Sequence, residues 1–267
     1  MYDVEVSTAY GVLKSRFRPS RRSDGLVVMF LGGLLSDQLA TQDSRTQVLD
    51  AICFNSGVGS IRFNYTAHGW HSTTRSSGEF RDVSVTRMVE DADHVIRHFA
   101  PHKVAFAASS IGAGLLPFLL ERLEGKHVLE GCFTVSAVSP ECLKVIVDSA
   151  LVPADRDRLA NGEDVDLRSP TLPVTIQVNR FQMDDLGAYR ELPVLCHWAA
   201  SRRPRLLRGT QDGLSTPQYN DALARTLGGS AEDIVVIESG HEIPFGPMLG
   251  AFDSWLIGLG LAESIAI

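Results

Sequence analysis

The chain has 267 residues, of which 44% are apolar and 21% are charged, and its formal net charge at pH 7 is −7. This balance is typical of a folded globular protein rather than of a disordered or membrane protein. The negative charge argues against a protein that binds nucleic acid, because such proteins cluster Lys and Arg against the phosphate backbone. The length allows one large α/β domain or two small ones.

The first residues, MYDVEVSTAYGVLKS, lack a charged segment followed by a long apolar one, and no apolar stretch approaches about 18 residues. The sequence therefore predicts neither a signal peptide nor a membrane span, and a cytoplasmic location is expected. The cysteines, Cys53, Cys132, Cys142 and Cys196, show no CxxC spacing. They predict buried free thiols rather than a zinc site or a disulfide framework.

In chain order, the first elements are two short segments of alternating polarity, residues 4–8 and 12–17, which predict an antiparallel pair of strands around Gly11. Apolar runs then alternate with helical patterns. The runs are residues 26–31, 61–65, 103–108 and 132–138, and the predicted helices between them are residues 38–51, 82–99 and 112–122. Unbroken apolar runs are typical of parallel strands buried on both faces, so this βαβ series predicts an α/β fold.

The alternation stops between about residues 140 and 200, where acidic, basic and proline-rich pieces include PADRDRLANGEDVDLRSPTLP. An insertion of this size is more easily explained as a cap over one edge of the sheet than as an independent domain. We therefore predict a core domain of residues 1–139 and 201–267 with a cap of residues 140–200.

After the insertion the pattern resumes with a predicted strand at residues 205–209. A helix follows that begins with Thr216 as N-cap and Pro217 at its first position. Another strand is predicted at residues 233–238. The last helix presents an apolar face made of Met248, Leu249, Phe252, Trp255, Leu256 and Leu259.

The most informative short segment is Ala108-Ser109-Ser110-Ile111-Gly112, which lies between a predicted strand and a predicted helix. Its spacing, a serine with small residues two positions before and after, is that of a nucleophile elbow. Large side chains do not fit on either side of so tight a turn, and Ala108 and Gly112 satisfy that demand. Ser110 could also be only the N-cap of the following helix.

A serine nucleophile requires a base and an acid that orients the base, and in this fold class they follow at later strand ends in the order Ser, Asp, His. Asp212 lies just beyond the strand at residues 205–209, and His241 lies in a loop after the strand at residues 233–238. Open α/β sheets bind ligands at the carboxyl ends of their strands. The sequence therefore predicts a catalytic triad of Ser110, Asp212 and His241.

Acyl transfer also needs hydrogen-bond donors for the developing oxyanion. The elbow supplies the backbone N–H of Ile111. The second donor is expected in FLGGLLSD, after the first central strand, where paired glycines let the backbone turn toward the nucleophile. By its position, we predict the backbone N–H of Leu34.

Five segments together resemble the α/β-hydrolase superfamily: LGGLLSD, RFNYTAHGWHS, AASSIGAG, GTQDGLSTP and SGHEIP. The chain is most similar to small serine esterases and thioesterases, including the branch related to mitochondrial acyl-protein thioesterases and the bacterial acyl-carrier thioesterases of luminescence. Three departures from the family pattern bear on pocket shape. Ala108 and Gly32 replace a common Gly and His, and Asn64 and Ala67 replace the Asp and Gly of a DxxGxG loop.

The resemblance implies hydrolysis of an ester or acyl-thioester through an acyl-enzyme, with no metal or organic cofactor, and it is compatible with a homodimer. His68 and His71 have a spacing that suits a loop better than a metal-ligand pair. An acyltransferase or a carbon–carbon bond hydrolase could use the same serine. A non-catalytic small-molecule receptor is a further alternative, because a fold does not fix a function.

Overall fold

The computed structural model of the protein describes residues 1–40, 44–123, 125–168, 175–195 and 204–259. Its strands within these ranges are β1 (Tyr2–Thr8), β2 (Gly11–Arg18), β3 (Leu26–Leu31), β4 (Gly59–Phe63), β5 (Lys103–Ser109), β6 (Val128–Val135), β7 (Val165–Arg168), β8 (Thr175–Val178), β9 (Arg205–Gly209) and β10 (Ile234–Ile237). The α-helices are α1 (Ser44–Asn55), α2 (Val85–Phe99), α3 (Ile111–Leu123), α4 (Pro140–Ala150), α5 (Pro153–Ala160), α6 (Arg180–Ala188), α7 (Pro217–Thr226) and α8 (Phe245–Gly258).

Eight of the described strands form one sheet in the spatial order β1-β2-β4-β3-β5-β6-β9-β10. The pairs β1-β2 and β2-β4 are antiparallel, and every other neighbouring pair is parallel. This confirms the predicted, mostly parallel α/β sheet and its antiparallel N-terminal pair. Because the parallel strands all end at one edge, the residues that follow β3, β5, β6, β9 and β10 are brought together there.

Two apolar layers cover the sheet. The α2 layer, beneath α2, α3 and α7, contains Leu31, Leu116 and Leu223, and the α8 layer, beneath α1 and α8, contains Phe30 and Phe252. Neighbouring residues of one strand enter opposite layers, as Phe30 and Leu31 do, because side chains alternate across a strand. Helices on both faces therefore bury both sides of the parallel strands, as the unbroken apolar runs predict.

Most predicted helices are confirmed with small shifts of their ends. The buried face of α2 contains the predicted Val85, Met88 and Ile96, and α8 buries the predicted Phe252. Thr216 is the N-cap of α7, where its hydroxyl accepts a hydrogen bond from the Tyr219 N–H. Among the described helices, none is both long and apolar enough to cross a membrane.

The first predicted helix, residues 38–51, is wrong at its start, because α1 begins at Ser44 and ends at Asn55. The carboxylate of Asp37 accepts hydrogen bonds from the backbone N–H groups of Leu39 and Ala40, at 3.1 Å and 3.0 Å. An aspartate side chain that accepts hydrogen bonds from backbone N–H groups two and three residues later in the chain favours a turn over a helix. Residues 41–43 lie outside the described ranges.

The described strands between β6 and β9 do not join the main sheet. In the described part of the segment between β6 and β9, α4, α5 and α6 accompany a separate antiparallel pair, β7 with β8. No strand was predicted with confidence in this segment, so these two short strands were missed. Hydrogen bonds connect α6 to α2 and to the residues just before it: Asp185 accepts from the hydroxyl of Thr86 in α2 at 2.6 Å, and Gln182 donates to the carbonyl of Val83 at 2.7 Å.

The buried thiols are confirmed for Cys53 and Cys132, whereas Cys142 is half-buried on α4. Cys196 lies outside the described residues, as do His197 and Trp198 of the predicted cap.

Asp91 is a buried carboxylate on α2, only 1% exposed. Its Oδ2 accepts a hydrogen bond from the backbone N–H of Thr66 at 2.7 Å. Burial raises the pKa of Asp91 to about 6, although the hydrogen bonds from Thr66 oppose this shift.

An Asp91→Asn variant is expected to gain stability over the wild type as the pH rises. The folded chain binds this proton more tightly than the unfolded chain, so the wild type loses stability between the ordinary pKa of 3.8 and the folded pKa of about 6. At higher pH the loss of unfolding free energy caused by the ionised Asp91 becomes constant, at a value on the order of 3 kcal/mol. Urea unfolding of both proteins at about pH 4 and about pH 8 measures the difference. The same difference at both pH values would contradict the prediction.

Candidate active site

Ser110 lies at the sharp turn between β5 and α3. Its φ of 52° is in the left-handed region, which few residues other than glycine adopt. The turn is tied to the end of β6, because the N–H of Ser110 donates to the carbonyl of Val135 at 2.9 Å and the carbonyl of Ser110 accepts from the N–H of Val138 at 3.1 Å. This is the local geometry of a strand-turn-helix elbow, rather than that of an ordinary N-cap residue, which keeps an extended backbone.

Small residues on both sides of Ser110 permit close backbone packing. A Cβ on Gly112 would lie 2.4 Å from the carbonyl oxygen of Gly32, so only glycine lets α3 begin against the turn that follows β3. The same turn contacts the serine, because a Cβ on Gly33 would lie 3.1 Å from the Cβ of Ser110. Ala108, 3% exposed, packs in the α2 layer.

The structure brings Ser110, His241 and Asp212 together. His241 Nε2 lies 3.3 Å from Ser110 Oγ, and His241 Nδ1 lies 2.9 Å from Asp212 Oδ2. A carboxylate can only accept, so Nδ1 carries the proton and the Nε2 lone pair faces the serine hydroxyl. The Asp212 side chain is 1% exposed and that of His241 is 30% exposed. The buried carboxylate of Asp212 therefore orients the imidazole, and part of the His241 side chain remains accessible to solvent.

Asp212 is held by its own turn. Its second oxygen, Oδ1, accepts hydrogen bonds from the N–H groups of Leu214 at 2.9 Å and Ser215 at 3.1 Å. Behind the turn, the fully buried Asn220 donates to Ser215 Oγ at 2.9 Å. Ser215 and Asn220 were not predicted from the sequence. Asn220 lies one turn before Leu223 on the apolar face of α7, and a polar residue at such a position indicates a buried hydrogen bond.

The predicted oxyanion donors, Leu34 and Ile111, line the same cavity as Ser110. Within the described part of the chain, neither backbone N–H donates a hydrogen bond to a protein acceptor. Donors for a developing oxyanion have to be unpaired in this way before substrate binds.

The turn that contains Leu34 is fixed by Asp37, which is 5% exposed. Asp37 accepts hydrogen bonds from Asn64 Nδ2 at 2.7 Å, from Thr74 Oγ1 at 2.6 Å and from the N–H of Trp70 at 2.8 Å. Burial opposes ionisation of this carboxyl, but the hydrogen bonds from Thr74, Asn64 and Trp70 outweigh it and lower the pKa of Asp37. Asp37 is therefore a charged anchor between the turn and the loop after β4.

Two of the departures from the family pattern have structural consequences in that loop. Asn64 both donates to Asp37 and accepts from the N–H of Gln38 at 2.8 Å, so its amide bridges the loop to the turn. Ala67 has a φ of 61°, which is the conformation that a glycine would adopt more easily. His68 follows it, 3% exposed, with Nδ1 2.8 Å from the carbonyl of Thr66, and burial lowers the pKa of His68.

Ser136, immediately after β6, is a residue that sequence reasoning missed. It is 3% exposed and its φ is 49°. Its hydroxyl donates to the carbonyl of His241 at 2.6 Å, and its N–H donates to the carbonyl of Leu207 at 2.8 Å. Its position directly after a parallel strand, at the carboxyl edge of the sheet, could have indicated that it lies near the candidate site. The strand β6 therefore ends at Val135, whereas the predicted strand continues to Val138.

Replacing Ser136 by alanine is expected to lower the free energy of unfolding by about 1 kcal/mol, the usual net contribution of one hydrogen bond. Ser136→Gly loses the same bond but removes the strain of a left-handed non-glycine residue, on the order of 1 kcal/mol. The glycine variant should therefore be closer to the wild type than the alanine variant is. Urea denaturation of all three proteins compares them, and a less stable glycine variant would contradict the argument.

The candidate site opens into a cavity of about 940 Å³. Its walls are predominantly apolar and come from both layers of the core and from the segment between β6 and β9. Among the described residues, no group of three or more His, Cys, Asp and Glu side chains is arranged to hold a metal ion. Of the two histidines considered in the sequence, His68 is buried and His71 is exposed.

Solved structures with the same architecture cover nearly the whole chain. A putative hydrolase from Agrobacterium vitis S4 has a TM-score of 0.77 and 22% identity, with 97% of each chain covered. Mouse alpha/beta hydrolase domain-containing protein 10 has a TM-score of 0.73 and 15% identity, covering 97% of this chain and 98% of its own. Est1E from Butyrivibrio proteoclasticus, with ferulic acid bound, has a TM-score of 0.71 and 11% identity, covering 97% and 100%.

The sequence matches no protein-family model, and a search of curated proteins found no significant match. The strand order, the parallel register and the structural neighbours nevertheless agree with one another. The chain has the α/β-hydrolase fold, which confirms the resemblance seen in the sequence at the level of the fold.

Proposed function

We propose that the protein is a serine hydrolase that cleaves a carboxylic ester or thioester. One observation carries the proposal: Ser110 Oγ, the imidazole of His241 and the carboxylate of Asp212 form a continuous hydrogen-bonded chain, with separations of 3.3 Å and 2.9 Å. The esterases and the monoacylglycerol lipase among proteins of similar fold support the same class of reaction.

In the proposed first step, His241 Nε2 takes the proton of the Ser110 hydroxyl as Oγ attacks the carbonyl carbon. The carbonyl oxygen becomes an oxyanion that accepts hydrogen bonds from the N–H groups of Leu34 and Ile111. When the tetrahedral intermediate collapses, the bond to the alcohol oxygen or thiol sulfur breaks, and the imidazolium gives its proton to that leaving atom. The product is an acyl-enzyme on Ser110.

The second step repeats the first with water. His241 removes a proton from water, the hydroxide oxygen attacks the acyl carbonyl, and the bond to Ser110 Oγ breaks as the serine recovers its proton. Asp212 keeps Nδ1 protonated throughout and stabilises the imidazolium. The His241 side chain is 30% exposed, which would allow water to reach the imidazole in this step.

We also propose that residues 140–200 act as a cap over this site. The described part of the segment lines the cavity with side chains from α4, β7, β8 and α6. The residues proposed for the chemistry all lie outside it, so the cap would select substrates without taking part in bond cleavage.

A fluorophosphonate probe tests the proposal, because it reacts covalently only with an activated serine. The wild type should be labelled, with the adduct located on Ser110 by peptide mass spectrometry. Ser110→Ala should lose both labelling and p-nitrophenyl ester hydrolysis, whereas the matched variant Ser109→Ala should keep both. A folded wild type that neither reacts with the probe nor hydrolyses any ester, but gains thermal stability from one, would be a receptor instead.

A further inference from the structure

We infer that the protein has a second ligand site, separate from the candidate active site, which binds a small carboxylate with an aromatic body. The site is a cavity of about 430 Å³. Among the described residues, none lines both this cavity and the cavity at Ser110. Its walls come from the turn between β1 and β2, from the chain between β4 and α2, from α2 itself and from the start of α6.

The central cation of this cavity is Arg87 on α2, whose guanidinium lies over the ring of Tyr10. Stacking on a ring holds the guanidinium plane, and the N–H groups, which point outward within that plane, still require acceptors. Arg87 Nη1 is buried and has no hydrogen-bond partner within the described ranges. No carboxylate in those ranges forms an ion pair with Arg87 either. The side chain is therefore a half-buried cation without a paired anion.

Two carboxylates of this region are already bound to the backbone. Asp91, one turn after Arg87 on α2, attracts the guanidinium electrostatically, but its Oδ2 accepts the N–H of Thr66 at 2.7 Å. Asp82 lines the cavity, and its Oδ2 accepts the N–H of Glu79 at 2.9 Å. A partly desolvated charge without a paired partner costs free energy. An anion bound in the cavity would offset that cost at Arg87.

Two aromatic rings in the cavity wall favour a ligand with a flat apolar body. Tyr10 and Phe181 both line the cavity, and they are 54% and 61% exposed. Aromatic side chains usually bury most of their surface, so these two rings leave apolar area that a ligand can cover. They come from distant parts of the chain, the turn between β1 and β2 and the helix α6, so their convergence on one cavity is a property of the fold.

The charge of the lining favours a monoanion over phosphate. Its described charged residues are Arg81, Asp82 and Arg87, two cations and one anion. Arg81 forms an ion pair with Glu79 at 2.7 Å, and its side chain is 51% exposed, so Arg87 is the cation left without a partner. Phosphate is usually bound by several cations or by helix N-termini. One guanidinium instead matches one carboxylate, through two parallel hydrogen bonds.

The site lies on a junction between α6 and the core. Asn179, the N-cap of α6, lines the cavity, and its Nδ2 donates to the carbonyl of Arg81 at 2.9 Å. Phe181 is in the first turn of the same helix. A carboxylate bound to Arg87 with its ring against Phe181 would add a contact between α2 and α6. Occupancy of the site would therefore hold the segment between β6 and β9 more firmly against the core.

Calorimetric titration of the full chain with benzoate, the probe for an aromatic carboxylate, tests the inference. The wild type should bind benzoate at least about tenfold more tightly than neutral benzamide, because the carboxylate is the group that Arg87 recognises. It should also prefer benzoate to acetate and to inorganic phosphate. Arg87→Met should weaken benzoate binding by about tenfold or more. Arg225→Met, the same change at an exposed position on α7, should leave the affinity unchanged.

Phe181→Ala keeps the test decisive if Arg87→Met does not fold, because Phe181 is exposed. It should weaken benzoate binding by about threefold through loss of the ring contact. Val145→Ala, at a position on α4 that is also 61% exposed, should have no effect. The inference is overturned if the wild type does not bind benzoate, binds benzamide equally well or prefers phosphate, or if Arg87→Met binds benzoate normally. None of these results bears on fluorophosphonate labelling of Ser110, so the proposed function is tested separately.

Discussion

Asp212→Asn is expected to lower kcat by about 10⁴-fold while leaving the protein folded. Oδ1 of Asp212 accepts the N–H groups of Leu214 and Ser215, so the amide oxygen of the asparagine should take that place. The amide NH₂ then faces His241 Nδ1, where the wild type has the acceptor Oδ2. Two donors cannot face each other, so the imidazole proton moves to Nε2, which can no longer accept the proton of Ser110.

The measurement is kcat for a p-nitrophenyl ester, together with the rate of fluorophosphonate labelling and the thermal midpoint. Asp221→Asn is the matched control, because it makes the same chemical change at an exposed position on α7. It should retain full activity. An Asp212→Asn protein with activity within about tenfold of the wild type would contradict the proposed role of the acid.

Gly112→Ala is expected to reduce activity by more than about 100-fold, because a shift of about 1 Å in a reacting group can have that effect. The added Cβ would lie 2.4 Å from the carbonyl oxygen of Gly32 and 2.7 Å from that of Leu31, and neither backbone atom can rotate away. The start of α3 and the turn after β3 must therefore separate, which moves Ser110 and Ile111 relative to Leu34. Overpacking of this kind also lowers the free energy of unfolding by about 1–3 kcal/mol.

Gly250→Ala is the control for that substitution, since Gly250 is also helical but has no heavy atom within 4 Å of an added Cβ. Alanine there should stabilise α8 by up to about 1 kcal/mol. Initial rates and urea unfolding of the two variants provide the comparison. Normal activity of a folded Gly112→Ala protein would show that the close approach at the elbow is not required.

The sequence predicted the elements that meet at the candidate site because parallel strands share one carboxyl edge. Ser110, Asp212 and His241 follow β5, β9 and β10, so their order along the chain and the direction of the strands were sufficient to expect them together. The boundaries of β3 and β9 were also predicted correctly. The roles of these side chains in catalysis remain predictions.

Features that depend on contacts distant in sequence could not be predicted. The start of α1 is displaced because Asp37 forms a turn with partners that include Asn64 and Thr74, which no local propensity reveals. Ser136 adopts its left-handed backbone where β6 ends, and its bond to His241 spans 105 residues. The inserted segment has no clear periodicity, so the cavity that it helps to enclose left no pattern in the sequence.

Every residue that we propose for bond cleavage comes from the core, whereas the described part of the segment between β6 and β9 supplies side chains of the cavity wall. The described part of that segment forms its own small sheet and shares no strand with the central one. Selection could therefore exchange the segment for another of different length while the reacting atoms keep their positions. Grafting it onto a second protein of this fold would change the wall of the recipient's cavity and leave the recipient's reacting groups in place.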